Sequence, residues 1–243
     1  MARRWTREHE EARARILALL RRDASAFGDM SREAVAARKA LPFAEWCHTY
    51  LPHWFTCDDA AFHEEADARR NLRGIPMCDC WARGTAKTTR YSIADVIYRV
   101  VNRTDAFIIL GAKTVDAAAE KADMVRMELR HNPRLRADYG TDIEPSSVSD
   151  AEDDFEACGV RVRCLGTGQS LRGAIYRGHR PQVFIGDDLE DKRIARSRER
   201  EQKLWDWLMG DVYPALEGAG QEAVFRNLCN MYGRHCLAVR FRA

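Results

Sequence analysis

The amino-acid sequence predicts an α/β fold with a mainly parallel central sheet flanked by helices, and with further helices at the N-terminus. Two observations predict this class. From about residue 61 onward, short apolar segments alternate with longer segments of helical spacing, and strands separated by helices form parallel sheets that are covered on both faces. Of the 243 residues, 46% are hydrophobic, which is enough for one sizeable core and argues against a disordered chain.

The N-terminal elements are predicted to be helices. Residues 6–22 and 31–50 carry apolar side chains at helical spacing, and Ser31 is suited to cap the second segment. Pro42 interrupts that segment, because proline lacks the backbone N–H that a helix interior requires. We therefore expect an N-terminal helical segment over residues 1–60.

The rest of the chain, residues 61–243, is predicted to form the α/β domain. Its expected strands are apolar or alternate between polar and apolar side chains: 75–81, 106–110, 160–165, 182–186 and 223–230. Helical spacing predicts helices over 88–102 and 115–129, and the second of these is expected to end near Pro133.

Charge is balanced over the whole chain but concentrated locally. Lys and Arg number 39 against 37 Asp and Glu, so a nucleic-acid surface would have to come from local clusters. Two basic clusters stand out, in residues 1–22, which include Arg3 and Arg4, and in residues 191–207, "DKRIARSREREQKLWDW". Each cluster is either such a surface or a solvated helix face with charge pairs four residues apart.

The sequence gives little support for a structural metal or a membrane segment. Cys47, His48, His53 and Cys57 lie close together, but their spacing fits no zinc-binding pattern, which favours core thiols and ordinary histidines. No apolar run is long enough to span a bilayer, and no signal peptide is recognisable. We expect a soluble intracellular protein with reduced thiols and no membrane partner.

Residues 78–92, "CDCWARGTAKTTRYS", come close to a phosphate-binding loop. The strict pattern G-x-x-x-x-G-K-[ST] places glycine where this chain has Trp81 and Ala86, but Lys87, Thr88 and a following helix are present. Such a loop surrounds a phosphate with backbone N–H groups and a helix N-terminus. Alanine in place of glycine predicts a loop conformation that alanine tolerates. A chance match remains the alternative.

A second element strengthens the first. The segment "RPQVFIGDDLED" places Asp187 and Asp188 at the C-terminal end of a predicted buried strand. In a parallel sheet these carboxylates would lie beside the loop, where one can hold Mg²⁺ and the other can orient or deprotonate water. The alternative is a strand that ends in a turn, since Gly-Asp-Asp is common in turns.

Several segments taken together resemble the ATPase domain of large terminase subunits, the motors that package DNA into the proheads of tailed phages. They are "WARGTAKTT", "FIILGAKTVDAAAEKADMVRMELRHNPRLRADYG", "GTGQSLRGAIYRGHRPQVFIGDDLED" and "LWDWLMGDVYPAL". The likeness runs from about Phe55 to the end of the chain, and its order and spacing are more specific than any one motif. The family characteristically has a deviant Walker A loop that contains an arginine. The resemblance therefore implies a P-loop NTPase of the ASCE/RecA-like type.

The resemblance implies a site for ATP and Mg²⁺. Residues that would bind the nucleotide are Arg83, Gly84, Thr85, Ala86, Lys87, Thr88, Thr89 and Asn230. Lys87 would be the phosphate lysine, and Arg83 the loop arginine that contacts phosphate. Thr88 and Asp187 would hold the metal.

The resemblance also implies catalytic residues. Asp188 stands where the family usually has a catalytic glutamate, and Glu190 is the alternative base. An arginine that acts on a neighbouring subunit is expected before the acidic pair, with Arg172 as the first choice and Arg177 and Arg180 as the others.

Two further elements follow from the same resemblance. Asn230, after the last strand, would be the polar residue of the coupling motif. The aromatic residues Trp54, Phe55 and Phe62 would flank the adenine, although core packing explains them equally well.

The resemblance implies a motor that translocates double-stranded DNA into a prohead. Its expected partners are DNA bound without sequence preference, the portal protein, the small terminase subunit and further copies of itself in a ring on the portal. It would work in the cytoplasm of the infected host cell. The residues present give no support for the nuclease domain of a full large terminase. The alternatives are a catalytically silent P-loop remnant that binds nucleotide or DNA, and a helicase-like ATPase, for which a second motor domain is not recognisable.

Overall fold

A central β-sheet organises the protein in a computed structural model that describes residues 5–22, 28–146 and 150–242. Within these residues the sheet has seven strands in the order β1-β7-β6-β2-β5-β4-β3. The strands are β1 (Met77–Cys80), β2 (Phe107–Ala112), β3 (Asp150–Ala151), β4 (Asp154–Ala157), β5 (Val160–Gly166), β6 (Val183–Asp187) and β7 (Val224–Cys229).

The strands β1, β7, β6, β2 and β5 are parallel, as the sequence predicts. Cys80 pairs with Cys229 and Asp187 with Leu228, so β1, β6 and β7 end at one edge of the sheet. The antiparallel strands β4 and β3 extend the sheet beyond β5 and were not predicted. Their sequences are rich in acidic residues, and only Phe155 and Ala157 of β4 are buried, so the alternation of apolar and polar side chains is too short to indicate a strand.

Helices lie between and around the strands of the described chain. They are α1 (Arg7–Arg22), α2 (Arg32–Lys39), α3 (Phe43–Tyr50), α4 (Ala61–Ala68), α5 (Val96–Asn102), α6 (Val115–His131), α7 (Pro133–Tyr139), α8 (Arg198–Asp206) and α9 (Leu237–Arg240). A π-helical segment, Thr88–Asp95, leads directly into α5, and a second one, Trp207–Val212, follows α8. Short 3₁₀ turns lie at Thr141–Ile143, Tyr213–Ala215 and Glu217–Gly220.

The segment of helical spacing at residues 31–50, which Pro42 is expected to interrupt, consists of two helices, α2 and α3. Ser31 caps α2 as predicted, since its hydroxyl accepts the backbone N–H of Ala34 at 3.3 Å. The helix ends at Lys39, and α3 starts directly after Pro42. Proline cannot donate a hydrogen bond to the preceding turn, so it separates the two helices.

Both faces of the sheet are covered by apolar side chains. One face packs against α5 and α6, where Val96, Ile97 and Val125 are fully buried. The other face buries Phe184 and Phe225 under Leu208 and its neighbours. Each such side chain contributes about 1.5–3 kcal/mol when it is removed from water. The sequence-based prediction of a covered, mainly parallel sheet is confirmed.

The N-terminal helices pack on the same core as the sheet. On α1, the ring Nε2 of His9 lies 3.0 Å from the Asp123 carboxylate of α6, and on α3 Trp46 and Tyr50 are fully buried. The predicted domain boundary at residue 60 stays a prediction. In the first basic cluster, Arg3 and Arg4 lie outside the described residues.

The described part of the chain contains no helix that is long and apolar enough to cross a membrane.

Candidate functional site

A cavity of about 440 Å³ lies at the C-terminal edge of the sheet, where β1, β6 and β7 end. Its walls come from three separate stretches of the chain: Ala82, Arg83, Gly84, Thr85, Ala86, Lys87, Thr88, Thr89, Asp187, Asp188 and Asn230. All the residues predicted to bind nucleotide or metal therefore face one space, together with Asp188. The parallel register explains this, because strand ends that align bring their following loops together.

The loop before the π-helical segment forms one wall of the cavity. The hydroxyl of Thr85 donates to the carbonyl of Ala82 at 2.6 Å, which closes the loop on itself. The ring of His63, on α4, holds the loop from outside. Its Nδ1 lies 3.1 Å from the backbone N–H of Ala60, which can only donate, so Nε2 carries the proton and donates to the Thr85 carbonyl at 3.1 Å.

Ala86 has a left-handed backbone, with φ of 59°. The expectation that the loop would run through a conformation that alanine tolerates is therefore wrong. The chain places a side chain on a left-handed backbone that favours glycine, at a cost of roughly 1–2 kcal/mol.

Lys87 lies at the bottom of the cavity and is 8% exposed. Its ammonium group donates to the carbonyls of Trp81 and Cys229, each at 2.6 Å, and to Oδ1 of Asn230 at 3.0 Å. These acceptors lie at the ends of β1 and β7 and take all three protons of the ammonium group. The lysine therefore ties the loop to the neighbouring strand end, and an anion in the cavity would compete for those protons.

Asp187 ends β6 and is 1% exposed. Its Oδ2 accepts the hydroxyl proton of Ser92 at 2.9 Å and lies 3.7 Å from the Lys121 ammonium group of α6. Ser92 follows Thr88 by four residues in the same helical segment. Both contacts are to Oδ2, which leaves Oδ1 of the carboxylate for the cavity.

Asp188 presents its carboxylate from a left-handed backbone, with φ of 53°. Desolvation in the cavity, followed by the negative charge of Asp187, raises its pKa. The side-chain amide of Asn230 donates to its Oδ1 at 2.9 Å, and the same Asn230 accepts from Lys87. A hydrogen-bonded chain therefore connects the lysine, the asparagine and the second acid.

Two non-glycine residues with positive φ, Ala86 and Asp188, face the same cavity from opposite walls. Such backbone conformations cost free energy and are concentrated at functional sites in folded proteins. The strain therefore supports a binding or catalytic role for this cavity.

The oxygen donors in the cavity fit Mg²⁺. The hydroxyl of Thr88 and the carboxylates of Asp187 and Asp188 are hard ligands of the kind that this ion prefers. No cluster of three or more His, Cys, Asp or Glu side chains that could hold a metal occurs among the described residues. Mg²⁺ in nucleotide sites needs only one or two carboxylates, because phosphates and water complete its shell.

Glu190, the alternative base, does not face the cavity. It is 3% exposed, and its carboxylate accepts the backbone N–H of Leu237, the first residue of α9, at 3.0 Å. Leu189 is buried between the acidic pair and Glu190, which turns the glutamate toward the opposite side of the edge. Its position supports a structural role at the start of α9.

We expect Glu190 to make stability depend on pH. Burial raises the pKa of Glu190 to about 7, well above the usual range of a glutamate, against the opposing effect of the Leu237 N–H. Because the pKa of Glu190 is raised in the folded state, its contribution to the free energy of unfolding is fully present below the unfolded pKa. This contribution is lost as pH rises through about 7. Urea unfolding from pH 5 to pH 8 should show a decrease of at most about 3 kcal/mol that Glu190→Gln lacks. Equal pH dependence in both proteins would contradict this role.

The three candidate arginines lie outside the cavity. Arg172 pairs with Asp211 at 2.6 Å and is largely exposed, and Arg177 pairs with Glu156. Arg180 is exposed. None of them acts on the cavity of its own chain, so their predicted role on a neighbouring subunit stays a prediction.

Of the three aromatic residues proposed near the adenine, only Phe62 lies beside the loop. Its ring is 5.0 Å from that of Trp81, which precedes the loop. The indole N–H of Trp54 donates to Glu128 of α6, and Phe55 is buried in the core. Core packing is therefore the better account of Trp54 and Phe55.

Sequence reasoning missed three residues that support the cavity: His63, Ser92 and Lys121. Ser92 could have been found from its four-residue spacing to Thr88, which places two hydroxyls near one face of a helix. No sequence signal marks His63 or Lys121, since their roles depend on how α4 and α6 pack.

A scan of the chain against protein-family models finds no matching family, and a comparison with curated proteins finds no significantly similar sequence. The structure itself defines an α/β protein with a seven-stranded, mainly parallel sheet and a polar cavity at its C-terminal edge.

Proposed function

We propose that the protein is a P-loop NTPase of the ASCE/RecA-like type that hydrolyses ATP with Mg²⁺. The observation that carries this proposal is the meeting of Lys87, Asp187 and Asp188 around one cavity at the start of a helix. A helix N-terminus, a buried lysine and two carboxylates are what a triphosphate and its metal require.

The loop would bind the phosphates. Residues Gly84 to Thr89 line the cavity, and the dipole of the following helix favours negative charge at this end. Lys87 would exchange its present acceptors for phosphate oxygens. Because one of those acceptors is Asn230, phosphate binding would also change the contact that Asn230 makes with Asp188.

Asp188 would act on the attacking water. Its raised pKa makes the carboxylate a better proton acceptor than an ordinary aspartate, and the Asn230 amide fixes its orientation. Thr88 and Asp187 would hold Mg²⁺, which, when bound, offsets negative charge on the phosphates. Arg83 is exposed at the mouth of the cavity, where its guanidinium can contact phosphate.

We expect Ser92→Ala to weaken Mg²⁺ binding by about tenfold, since a hydrogen bond to a charged group contributes about 1.5–3 kcal/mol. The lost contact leaves Oδ2 of Asp187 with Lys121 alone, at 3.7 Å, so the carboxylate can rotate. The measurement is the Mg²⁺ concentration that half-saturates a thermal shift in the presence of ATP. Ser92→Thr keeps the hydroxyl and serves as the matched control. If Ser92→Ala left the half-saturating Mg²⁺ concentration unchanged, Ser92 would have no role in metal binding.

The resemblance to large terminase subunits supports a more specific role for this ATPase. We propose a motor of phage DNA packaging, which would form a ring on a portal protein, work with a small terminase subunit and translocate double-stranded DNA in the cytoplasm of the infected cell. The exposed position of Arg172 allows it to reach a neighbouring copy in such a ring. DNA packaged into purified proheads and protected from nuclease is the test, and protection that does not depend on ATP would argue against the motor.

A second candidate is a catalytically silent nucleotide-binding protein. The strained Ala86 and the shorter Asp188 in place of glutamate are the observations that favour it. Nucleotide affinity and turnover measured on the same preparation distinguish the two. Binding of ATP without hydrolysis, with DNA and portal present, would favour the silent protein.

A further inference from the structure

A run of exposed cations follows the acidic pair at the same edge of the sheet. We call it the basic strip, and it consists of Lys192, Arg193, Arg196, Arg198 and Arg200. Among the described residues, none of these five side chains forms an ion pair. The only acid within the run, Glu199, contacts Lys203 at 2.7 Å.

The acids next to the basic strip are also engaged elsewhere. Asp191 binds Lys113 at 2.5 Å, and Glu201 pairs with Arg240 at 2.8 Å. Within the described residues, the five cations of the basic strip therefore have no carboxylate at ion-pair distance.

The basic strip is held in place at the cavity. Oδ1 of Asp191 accepts the backbone N–H groups of Arg193 and Ile194, which fixes the turn, and the hydroxyl of Ser197 caps α8. Lys192 lines a cleft of about 510 Å³ together with Arg83 and Asn230, both of which also line the main cavity. The strip thus begins where the nucleotide cavity opens.

We propose that the basic strip binds the phosphate backbone of double-stranded DNA without sequence preference. Unpaired guanidinium groups bind phosphates in a two-pronged geometry, and release of counterions drives such binding. The run 192–200 contains no aromatic side chain on which unpaired bases could stack. Trp81 and Tyr232 line the cleft at its start, but Lys192 is the one residue of the strip that lines this cleft with them, which favours duplex over single strands. Its one large apolar residue, Ile194, is half-buried, so the strip lacks the apolar face of a membrane anchor.

Binding of duplex DNA by the basic strip does not depend on ATP hydrolysis. Only the link between this binding and the nucleotide cavity rests on the proposed function. The test compares the triple variant Arg193→Gln, Arg196→Gln, Arg200→Gln with a control of equal charge, Arg32→Gln, Arg69→Gln, Arg103→Gln. The control arginines are exposed and lie outside both basic clusters, on α2 and directly after α4 and α5. Fluorescence anisotropy of a labelled duplex, without nucleotide, gives Kd between about 50 and 200 mM salt.

We expect the strip variant to raise Kd by roughly tenfold or more and to lower the slope of log affinity against log salt by about 2.7, since each phosphate contact contributes about 0.9. The control should keep the wild-type Kd within about twofold. Equal losses in both variants, no loss in either, tighter binding of single strands than of duplex, or no duplex binding at low salt would overturn the assignment.

ATP hydrolysis measured in parallel separates this inference from the proposed function. If the protein binds duplex through the strip but never hydrolyses ATP, the proposed ATPase activity is refuted and the DNA-binding surface is retained. A protein that hydrolyses ATP while the strip variant binds duplex normally would refute the surface and keep the ATPase.

Discussion

Replacing Lys87 by alanine is expected to reduce ATP hydrolysis by a factor on the order of 10²–10³ or more, the range found when one preorganised group that stabilises transition-state charge is removed. Lys87 is the buried cation of the cavity wall, and its ammonium group lies between the ends of β1 and β7. Without it, negative charge that develops on the phosphates has no fixed counter-charge at the bottom of the cavity. Phosphate release with saturating ATP and Mg²⁺ measures the loss.

The same substitution should also lower stability, because the carbonyls of Trp81 and Cys229 lose their donor. A buried acceptor that is left without a partner costs about 1–3 kcal/mol. Denaturant unfolding therefore accompanies the activity assay, to establish that Lys87→Ala is folded under assay conditions. Lys203→Ala is the control, since Lys203 is exposed and contacts only Glu199 among the described residues. Wild-type turnover in a folded Lys87→Ala would refute the site assignment.

The features of this site that the sequence predicts are those that depend on strand order alone. Asp187 and Asp188 stand at the end of a strand whose apolar pattern is plain, and Lys87 follows a strand with a weaker pattern. Parallel strands align their C-terminal ends, so these residues meet. Their meeting needs no knowledge of side-chain packing. Asn230, which the resemblance to large terminase subunits implies for the coupling motif, follows β7 and lines the same cavity.

The features that escape prediction depend on local backbone and on packing. The left-handed turn at Ala86 goes against the preference of alanine, so no propensity argument leads to it. Glu190 is three residues from Asp187, yet the start of α9 draws its carboxylate away from the cavity. The role of His63 depends on the docking of α4 against the loop.

Apolar periodicity also fails to predict a set of buried arginines, which lie behind the helix that follows the loop. Arg90, Arg99 and Arg226 are each 2% exposed or less. On sequence alone, such residues would be placed on the surface, since arginine is rarely buried unless it is paired. Here aspartates supply the pairing: Arg90 contacts both Asp59 and Asp67.

Replacing Arg99 by methionine is expected to lower the free energy of unfolding by about 3–5 kcal/mol, the range found when one partner of a buried ion pair is removed. The Arg99 guanidinium donates to Asp95 at 2.9 Å and to Asp105 at 2.6 Å. Methionine has similar bulk but no donors, so both carboxylates stay buried with one cation each, Arg70 and Arg73. Urea unfolding of both proteins at pH 7 measures the difference.

The pH dependence of this difference tests its electrostatic origin. Burial alone would raise the pKa of Asp105, but Arg99 and Arg73 outweigh it, and the pKa lies below its usual value. A depressed pKa stabilises the fold above the unfolded pKa of about 3.9, and that contribution is lost as pH falls through the folded-state value. The difference in unfolding free energy between wild type and Arg99→Met should therefore become smaller as the pH is lowered.

Two further variants separate charge from volume at Arg99. Arg99→Lys keeps the charge but cannot reach Asp95 and Asp105 with the planar fork of a guanidinium, so its stability should lie between those of wild type and Arg99→Met. Arg7→Met removes an exposed pair with Glu11 and should change the unfolding free energy by less than about 1 kcal/mol. If Arg99→Met were as stable as Arg7→Met, the buried pairs would contribute no more than a surface pair. The helix behind the loop would then owe its position to apolar packing alone, because no other charged group bridges Asp95 and Asp105 among the described residues.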